Sequence, residues 1–90
     1  MSATWHVYIL QCADRTLYTG IARDLQKRLR QHNGEAVGGP RYTRGRRPVR
    51  LVWSDVAPDR STALKREASI KKLSRPEKLR LIGMTRGDSA

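Results

Sequence analysis

Three segments of the chain carry the apolar pattern that is typical of β-strands. Residues Trp5 to Cys12 alternate in part between apolar and polar side chains, and Leu17 to Ile21 resume the pattern after the turn-like segment Ala13 to Thr16. The first two segments therefore predict a β-hairpin. The segment from Val49 to Val56 predicts a third strand. Its alternation places three apolar residues on one face: Val49, Leu51 and Trp53.

Helix start and stop signals separate and follow these strands. Asp24 falls in the first turn of a predicted helix that ends at the stop pair Asn33-Gly34. A second helix is predicted from about Ser61 to Leu73. The pattern Ser74-Arg75-Pro76-Glu77 is a capping box, which opens a third helix through Ile82. The predicted order of elements is β-β-α-β-α-α.

The length of the chain and this order predict a single α+β domain over residues 1–90. We expect its core to run from about residue 5 to residue 82 and residues 83–90 to form a frayed tail. No apolar stretch approaches the roughly 20 residues of a transmembrane helix, and the N-terminus lacks the pattern of a signal peptide. The single cysteine, Cys12, excludes an internal disulfide. These features predict a cytoplasmic protein. We expect it to act as a monomer, to bind no membrane and to use no small-molecule organic cofactor.

The charge of the chain indicates its partner. Lys and Arg number 19 against 8 Asp and Glu, which gives a formal net charge of +11. A charge of this size disfavours a compact chain through self-repulsion, so we expect it to serve an anionic partner. Nucleic acid is the first candidate, and an acidic membrane surface is the second.

Two basic side chains of the first predicted helix lie near its apolar stripe. At about 100° per residue, Leu25 and Leu29 mark the stripe that should pack against the sheet. His32 falls about 20° to one side of Leu25, and Arg28 falls about 60° to that same side. These two residues are therefore set apart from the solvated basic face of the helix.

Glu67 occupies the middle of an apolar arc on the second predicted helix. Ala63, Leu64 and Ile70 lie around it. An unpaired carboxylate in that position would be costly, which predicts a partner: a cation, a hydrogen-bond donor or a metal ion. The alternative is an intrahelical pair with Lys71, four residues on, which contributes about 0.3–0.5 kcal/mol.

These residues carry a resemblance to a known family. The segments VYIL and LYTGIARDLQKRLRQHNG are similar to the N-terminal half of the GIY-YIG nuclease domain, and ALKREASIKKL is similar to the family helix that carries a metal-binding glutamate. The similarity runs from about Trp5 to Ile82 and is closest to the small stand-alone, YhbQ-like members. His6 replaces the first glycine of the signature. The matching positions are Val7-Tyr8, Tyr18-Thr19-Gly20, Asp24-Leu25, Arg28, His32 and Glu67.

The resemblance implies a compact domain with a three-stranded antiparallel sheet flanked by helices. It implies a metal-dependent endonuclease that hydrolyses phosphodiester bonds of DNA or RNA with one divalent metal ion, Mg²⁺ or Mn²⁺. Tyr8 or Tyr18 would take part in activating the attacking water, Arg28 would neutralise the phosphate, and Glu67 would hold the metal. The role of His32 stays open between complementing the dipole at a helix C-terminus and moving a proton.

The loop from Gly38 to Arg50 carries five arginines together with Tyr42 and Thr43. Arginine binds phosphate with two donors, and an aromatic ring can stack on an exposed base. The loop therefore predicts a clamp on the nucleic-acid backbone that does not read sequence, with a merely solvated basic loop as the alternative. Gly20 would let a phosphate approach the backbone. The predicted nucleic-acid-binding residues are Gly20, Arg41, Tyr42, Thr43, Arg44, Arg46, Arg47 and Lys71.

Two functional classes follow from these features. The first is the endonuclease, acting in repair, processing or turnover of nucleic acid. The second is a nucleic-acid-binding module, associated with RNA or the ribosome, whose catalytic activity is weak or lost. Both predict an affinity that falls with salt, so turnover is the property that separates them.

Overall fold

One antiparallel sheet of three strands forms the centre of the protein. The computed structural model describes residues 4–86, without the side chains of residues 84–86. The strands are β1 (Trp5–Gln11), β2 (Leu17–Ala22) and β3 (Arg50–Ala57), in the order β2-β1-β3. The central strand, β1, pairs with both of its neighbours. The predicted α+β fold is confirmed.

Four helices accompany the sheet: α1 (Leu25–His32), α2 (Arg41–Arg44), α3 (Arg60–Lys71) and α4 (Arg75–Arg86). The predicted order of elements is confirmed with one addition, since the short helix α2 lies within the basic loop. The prediction of a frayed tail from residue 83 is wrong for residues 83–86, because α4 continues through them. Residues 87–90 lie outside the described part of the chain.

None of the helices in residues 4–86 is long and apolar enough to cross a membrane.

Side chains cap the three longer helices at their first turns. Asp24 Oδ1 accepts a hydrogen bond from Lys27 N at 3.0 Å, and Asp59 Oδ1 accepts one from Thr62 N at 2.7 Å. At α4 the capping box is reciprocal: Ser74 N donates to a Glu77 carboxylate oxygen at 2.8 Å, and Glu77 N donates to Ser74 Oγ at 3.3 Å. These bonds satisfy backbone donors that a helix leaves unpaired.

The two faces of the sheet bury different cores. Val7 and Ile9 of β1 pack on one face against residues of α3 and α4. Tyr8 and Leu10 point to the opposite face, as the alternation of a strand requires. Two partly buried leucines of α1 cover that second face, which also carries both tyrosines predicted to be catalytic.

Strand β3 contains a β-bulge. Trp53 is opposite Ile9 and Leu51 is opposite Leu10, so Val52 between them has no partner on β1. A shift by one residue exchanges the two faces of a strand, so the residues before and after the bulge belong to different cores.

The bulge overturns the prediction that three alternate residues of β3 share a face. Trp53 packs in the core under α3 and α4, whereas Val49 packs with the core on the α1 face. Leu51 is exposed. A period-two pattern cannot reveal an inserted residue, which explains the error.

The side chain of Asn33 joins the end of α1 to the start of β3. Asn33 Oδ1 accepts a hydrogen bond from Val49 N at 2.7 Å, and Asn33 Nδ2 donates to Val49 O at 3.0 Å. Gly34 follows with a φ of 79°, the left-handed conformation that ends many helices. The stop pair therefore ends α1 and also places β3.

We expect Asn33→Ala to lower the free energy of unfolding by about 2 kcal/mol, because both backbone groups of the buried Val49 lose their partner. Gln26→Ala, which shortens an exposed side chain of the same helix, is the control. Urea denaturation of both variants measures the difference. Equal stability of the two variants would contradict this role.

Candidate active site

The ring of Tyr8 lies over Gly20 on the neighbouring strand. These two residues are partners across β1 and β2. A Cβ at residue 20 would lie 2.6 Å from Tyr8 Oη and 3.1 Å from Cε1 of Tyr18. Glycine is therefore required at position 20 to leave room for the rings of Tyr8 and Tyr18 over β2. The predicted approach of a phosphate to Gly20 stays a prediction, and the structure adds a packing reason for the glycine.

Four rings form an aromatic cluster, which consists of Tyr8, Tyr18, His32 and Tyr42. The His32 ring lies 5.8 Å from the Tyr8 ring and 4.9 Å from the Tyr18 ring, edge-on in both cases. Tyr42 lies 5.5 Å from Tyr18 on the outer side. Tyr8 and His32 are buried, Tyr18 is partly exposed, and Tyr42 is 39% exposed. The cluster thus leads from the interior of the protein to its surface.

Hydrogen bonds connect the inner part of the cluster to the basic loop. Tyr8 Oη lies 2.9 Å from His32 Nε2, and His32 Nδ1 lies 3.1 Å from Thr43 Oγ1. Thr43 also donates a hydrogen bond to Pro40 O at 3.2 Å. Thr43 is fully buried in α2, and its predicted contact with nucleic acid stays a prediction. The sequence reasoning missed its contact with His32.

Burial favours the neutral forms of Tyr8 and His32. It raises the pKa of Tyr8 to about 12, which Arg28 opposes through hydrogen bonding and charge. Burial also lowers the pKa of His32 to about 4, with further lowering by the charges of Arg28 and Arg47. A neutral imidazole does not complement a helix dipole as a cation does, and the transfer of a proton by His32 stays a prediction.

Arg28 stands beside this pair of residues, as the helical pattern predicted. Its guanidinium donates to Gln31 Oε1 at 2.9 Å and to Gly38 O at 3.2 Å. It acts on the pKa of both Tyr8 and His32. The structure therefore brings Arg28 together with Tyr8 and His32.

Glu67 lies on α3 with 18% of its side chain exposed. It is half-buried between Ala63 and Ile70, but Leu64 is 37% exposed, so the apolar arc is narrower than predicted. Lys71 Nζ lies 3.4 Å from Glu67, which is the intrahelical pair of the alternative interpretation. The Glu67 charge also contributes to raising the pKa of Tyr8, so the carboxylate is near the cluster as well.

No three His, Cys, Asp or Glu side chains within the described residues form a group that could hold a metal ion.

Comparison with known proteins decides the family. The model of the GIY-YIG catalytic domain matches residues 4–80. The chain belongs to the GIY-YIG family. A UPF0213 protein from Desulfotalea psychrophila is 54% identical over 78 residues, which cover 87% of this chain and 70% of that protein. A UPF0213 protein from Syntrophus aciditrophicus is 53% identical over 77 residues, covering 86% of this chain and 87% of that protein.

A solved structure supports the same conclusion. The solution NMR structure of a UPF0213 protein from Bacillus halodurans matches with a TM-score of 0.58 and 39% identity, over 90% of this chain and 84% of that chain. Membership of the GIY-YIG family suggests nuclease activity on a nucleic-acid substrate. GIY-YIG nucleases generally use a divalent metal ion.

Two arginines of the basic loop hold the loop against the rest of this GIY-YIG domain. Arg46 pairs with Asp14 at 3.0 Å, donates to Tyr42 O at 2.8 Å, and places its guanidinium carbon 4.2 Å from the centre of the Tyr42 ring. Arg47 Nε donates to His32 O at 2.7 Å. The binding of phosphate by Arg46 and Arg47 stays a prediction, but both guanidiniums already have protein partners.

The other two predicted arginines of this loop are free to meet an anion. Arg41 and Arg44 lie in α2, and both are exposed. Among residues 4–86, neither side chain makes a hydrogen bond or an ion pair. The sequence presented all these arginines as equivalent, and only the folded structure separates the two groups.

We expect Gly20→Ala to destabilise the protein by about 1–3 kcal/mol, because the added Cβ would overlap Tyr8. Gly45→Ala is the matched control, since a Cβ there meets nothing within 4 Å. Urea denaturation midpoints of the two variants give the measurement. Equal losses in both variants would show that the phenol does not require the glycine.

Proposed function

We propose that this protein is a metal-dependent endonuclease that hydrolyses phosphodiester bonds of DNA or RNA in repair, processing or turnover of nucleic acid. The observation that carries the proposal is the grouping of Tyr8, Tyr18, Arg28 and His32 at one place. Glu67 lies near enough for its charge to act on Tyr8. Membership of the GIY-YIG family supports the same activity.

Hydrolysis of a phosphodiester requires a positioned water, positive charge at the phosphate and an acceptor for the proton of the water. The water oxygen bonds to phosphorus while the bond from phosphorus to the leaving oxygen breaks, and the leaving oxygen takes a proton from solvent. Arg28 stabilises the negative charge that develops on the phosphate. Its guanidinium is held in place by Gln31 and Gly38.

The two tyrosines differ in what surrounds their hydroxyl groups. Tyr8 has a proton acceptor, His32 Nε2, at 2.9 Å. Tyr18 is partly exposed and, within the described part of the chain, contacts other rings without a hydrogen bond from its hydroxyl. We therefore assign Tyr18 to contact with the phosphate and Tyr8 to the transfer of the proton from the water to His32.

In the free protein, the transfer of a proton from Tyr8 to His32 is unfavourable. With pKa values of about 12 for Tyr8 and about 4 for His32, full proton transfer between them would cost on the order of 10 kcal/mol. A phosphate bound to Arg28 would offset one of the charges that depress the pKa of His32. The substrate itself thus makes His32 a better proton acceptor.

Glu67 fits the way in which Mg²⁺ is usually held. Mg²⁺ keeps several water ligands and binds to proteins through one or two carboxylates together with substrate phosphates, so a single half-buried carboxylate is sufficient. Glu67 would hold one Mg²⁺ or Mn²⁺ ion, and Lys71 would pair with the carboxylate when no metal is present. A bound divalent ion supplies positive charge that lowers the pKa of a nearby phenol and stabilises the phosphate.

Nucleic acid would approach over α2 toward the exposed side of the aromatic cluster. Arg41 and Arg44 supply the first phosphate contacts, and Tyr42, 39% exposed, offers a ring for a base. We propose that the protein acts as a monomeric single domain in the cytoplasm, without an organic cofactor. The alternative is a nucleic-acid-binding module with weak or lost activity. It draws support from the high pKa of the Tyr8 phenol, because a phenol that keeps its proton at neutral pH cannot act as a base.

Cleavage assays with branched, single-stranded and duplex DNA and RNA test the proposal. We expect turnover with Mg²⁺ or Mn²⁺ that EDTA abolishes. Arg28→Ala should lower kcat by about 10²-fold or more, because it removes charge from the transition state. Arg30→Ala, an exposed arginine of the same helix, is the control for lost charge. Salt-sensitive binding without any turnover would favour the binding module instead.

Glu67→Gln should abolish metal-dependent cleavage while changing stability by no more than the roughly 0.3–0.5 kcal/mol of an intrahelical ion pair. The control is Glu35→Gln, which neutralises an exposed carboxylate between α1 and α2. Cleavage rates and urea denaturation in EDTA give both quantities. Wild-type activity in Glu67→Gln would exclude Glu67 as the metal ligand.

The double variant Arg41→Ala/Arg44→Ala should flatten the plot of log affinity against log salt by up to about 2 on duplex DNA, since each phosphate contact contributes about 0.9. The control is Arg23→Ala/Arg30→Ala, which removes the same amount of charge. Arg23 lies just before the start of α1, and Arg30 lies on the outer face of that helix. An equal change in both double variants would show that α2 is not a specific contact.

A further inference from the structure

The hydroxyl of Thr43 has one proton, which can point either to Pro40 O or to His32 Nδ1. Pro40 O, at 3.2 Å, is a carbonyl oxygen and can only accept, so the Thr43 proton points there. Toward His32 Nδ1, at 3.1 Å, the Thr43 oxygen therefore offers a lone pair. A hydrogen bond at this contact requires that His32 Nδ1 carries the proton.

A neutral imidazole has one N–H group, so Nε2 of the same ring must be an acceptor. That nitrogen lies 2.9 Å from Tyr8 Oη, and the phenol consequently donates to it. The three bonds form one directed chain: Tyr8 to His32, His32 to Thr43, and Thr43 to Pro40.

The reverse direction leaves one contact without a proton. If His32 Nε2 donated to Tyr8, Thr43 would have to donate to His32 Nδ1. Thr43 Oγ1 and Pro40 O would then face each other at 3.2 Å as two acceptors. Two oxygen lone pairs at this distance repel each other, which favours the first direction.

We propose that Thr43 is a positioning residue that fixes His32 in the tautomer protonated on Nδ1 and so makes Nε2 the acceptor for the Tyr8 proton. Thr43 lies in α2 between Arg41 and Arg44, so the loop that meets the nucleic acid also sets the chemical form of the buried histidine. The consequence for catalysis rests on the proposed nuclease function, whereas the tautomer itself does not.

NMR of the ¹⁵N-labelled protein at neutral pH tests the tautomer without any substrate. Long-range ¹H–¹⁵N correlations distinguish a protonated ring nitrogen from an unprotonated one, and His6→Gln assigns the second imidazole. We expect His32 to show a protonated Nδ1 and an unprotonated Nε2. A protonated Nε2 in the wild-type protein would overturn the proposal, even if no cleavage is ever detected.

Two variants test the role of the hydroxyl. Thr43→Val removes it at similar size, and Thr43→Ser retains it. In Thr43→Val we expect loss of the single tautomer and a kcat about 10- to 100-fold lower, with little change in KM because residue 43 is buried away from substrate. Thr43→Ser should keep the wild-type spectrum and a kcat within a few fold.

The variants also separate the failure of this proposal from that of the nuclease function. A Thr43→Val protein that keeps a protonated Nδ1 on His32 would overturn the role of Thr43, whatever its activity. If Thr43→Val does not fold, the comparison of Thr43→Ser with the wild type decides: loss of the single tautomer in Thr43→Ser contradicts the proposal, and its retention supports it. An inactive wild-type protein that shows the expected tautomer would refute only the nuclease function.

Discussion

The hydrogen bond between Tyr8 Oη and His32 Nε2 joins the central strand to the last turn of α1, and both side chains are buried. Leaving either polar group unpaired there would cost about 1–3 kcal/mol, so the surrounding residues must keep the two rings in register. Gly20 leaves the space in which the phenol lies. Arg47, in the basic loop, donates a hydrogen bond to the carbonyl oxygen of His32. The position of the candidate active site therefore depends on this one bond and on the residues that enclose it.

The basic loop combines two kinds of arginine that a net charge of +11 does not distinguish. Arg46 and Arg47 are bound to Asp14, Tyr42 and His32, and they keep the loop on the domain. Because they are already paired, their contribution to binding an anion would require the exchange of one partner for another. Exposed arginines on α2 carry no such cost, which makes them better placed for a fast electrostatic encounter with nucleic acid.

The strands, the longer helices and their order could be predicted because local patterns and caps determine them. The positions of Arg28 and His32 beside the apolar stripe of α1 were also visible, since helical geometry alone places them. The bulge at Val52 could not be predicted, because Val49, Leu51 and Trp53 alternate in the sequence without a visible interruption. The contact of Thr43 with His32 spans 11 residues across a loop, and no periodic pattern reports such a contact. The four-residue helix α2 is likewise too short for a recognisable pattern.

The bulge at Val52 also means that the two cores of the domain share a single strand and cannot be separated. Val49, before the bulge, completes the core on the side of the candidate site, and Trp53, after it, completes the core under α3 and α4. A shortened chain with only β1, β2 and α1 would contain both tyrosines, Arg28 and His32. It would nevertheless lack Trp53, α3 and α4 on one side of β1 and Val49 on the other. Four of the candidate site residues are thus local in sequence, but the cores that hold them in place extend over nearly the whole domain.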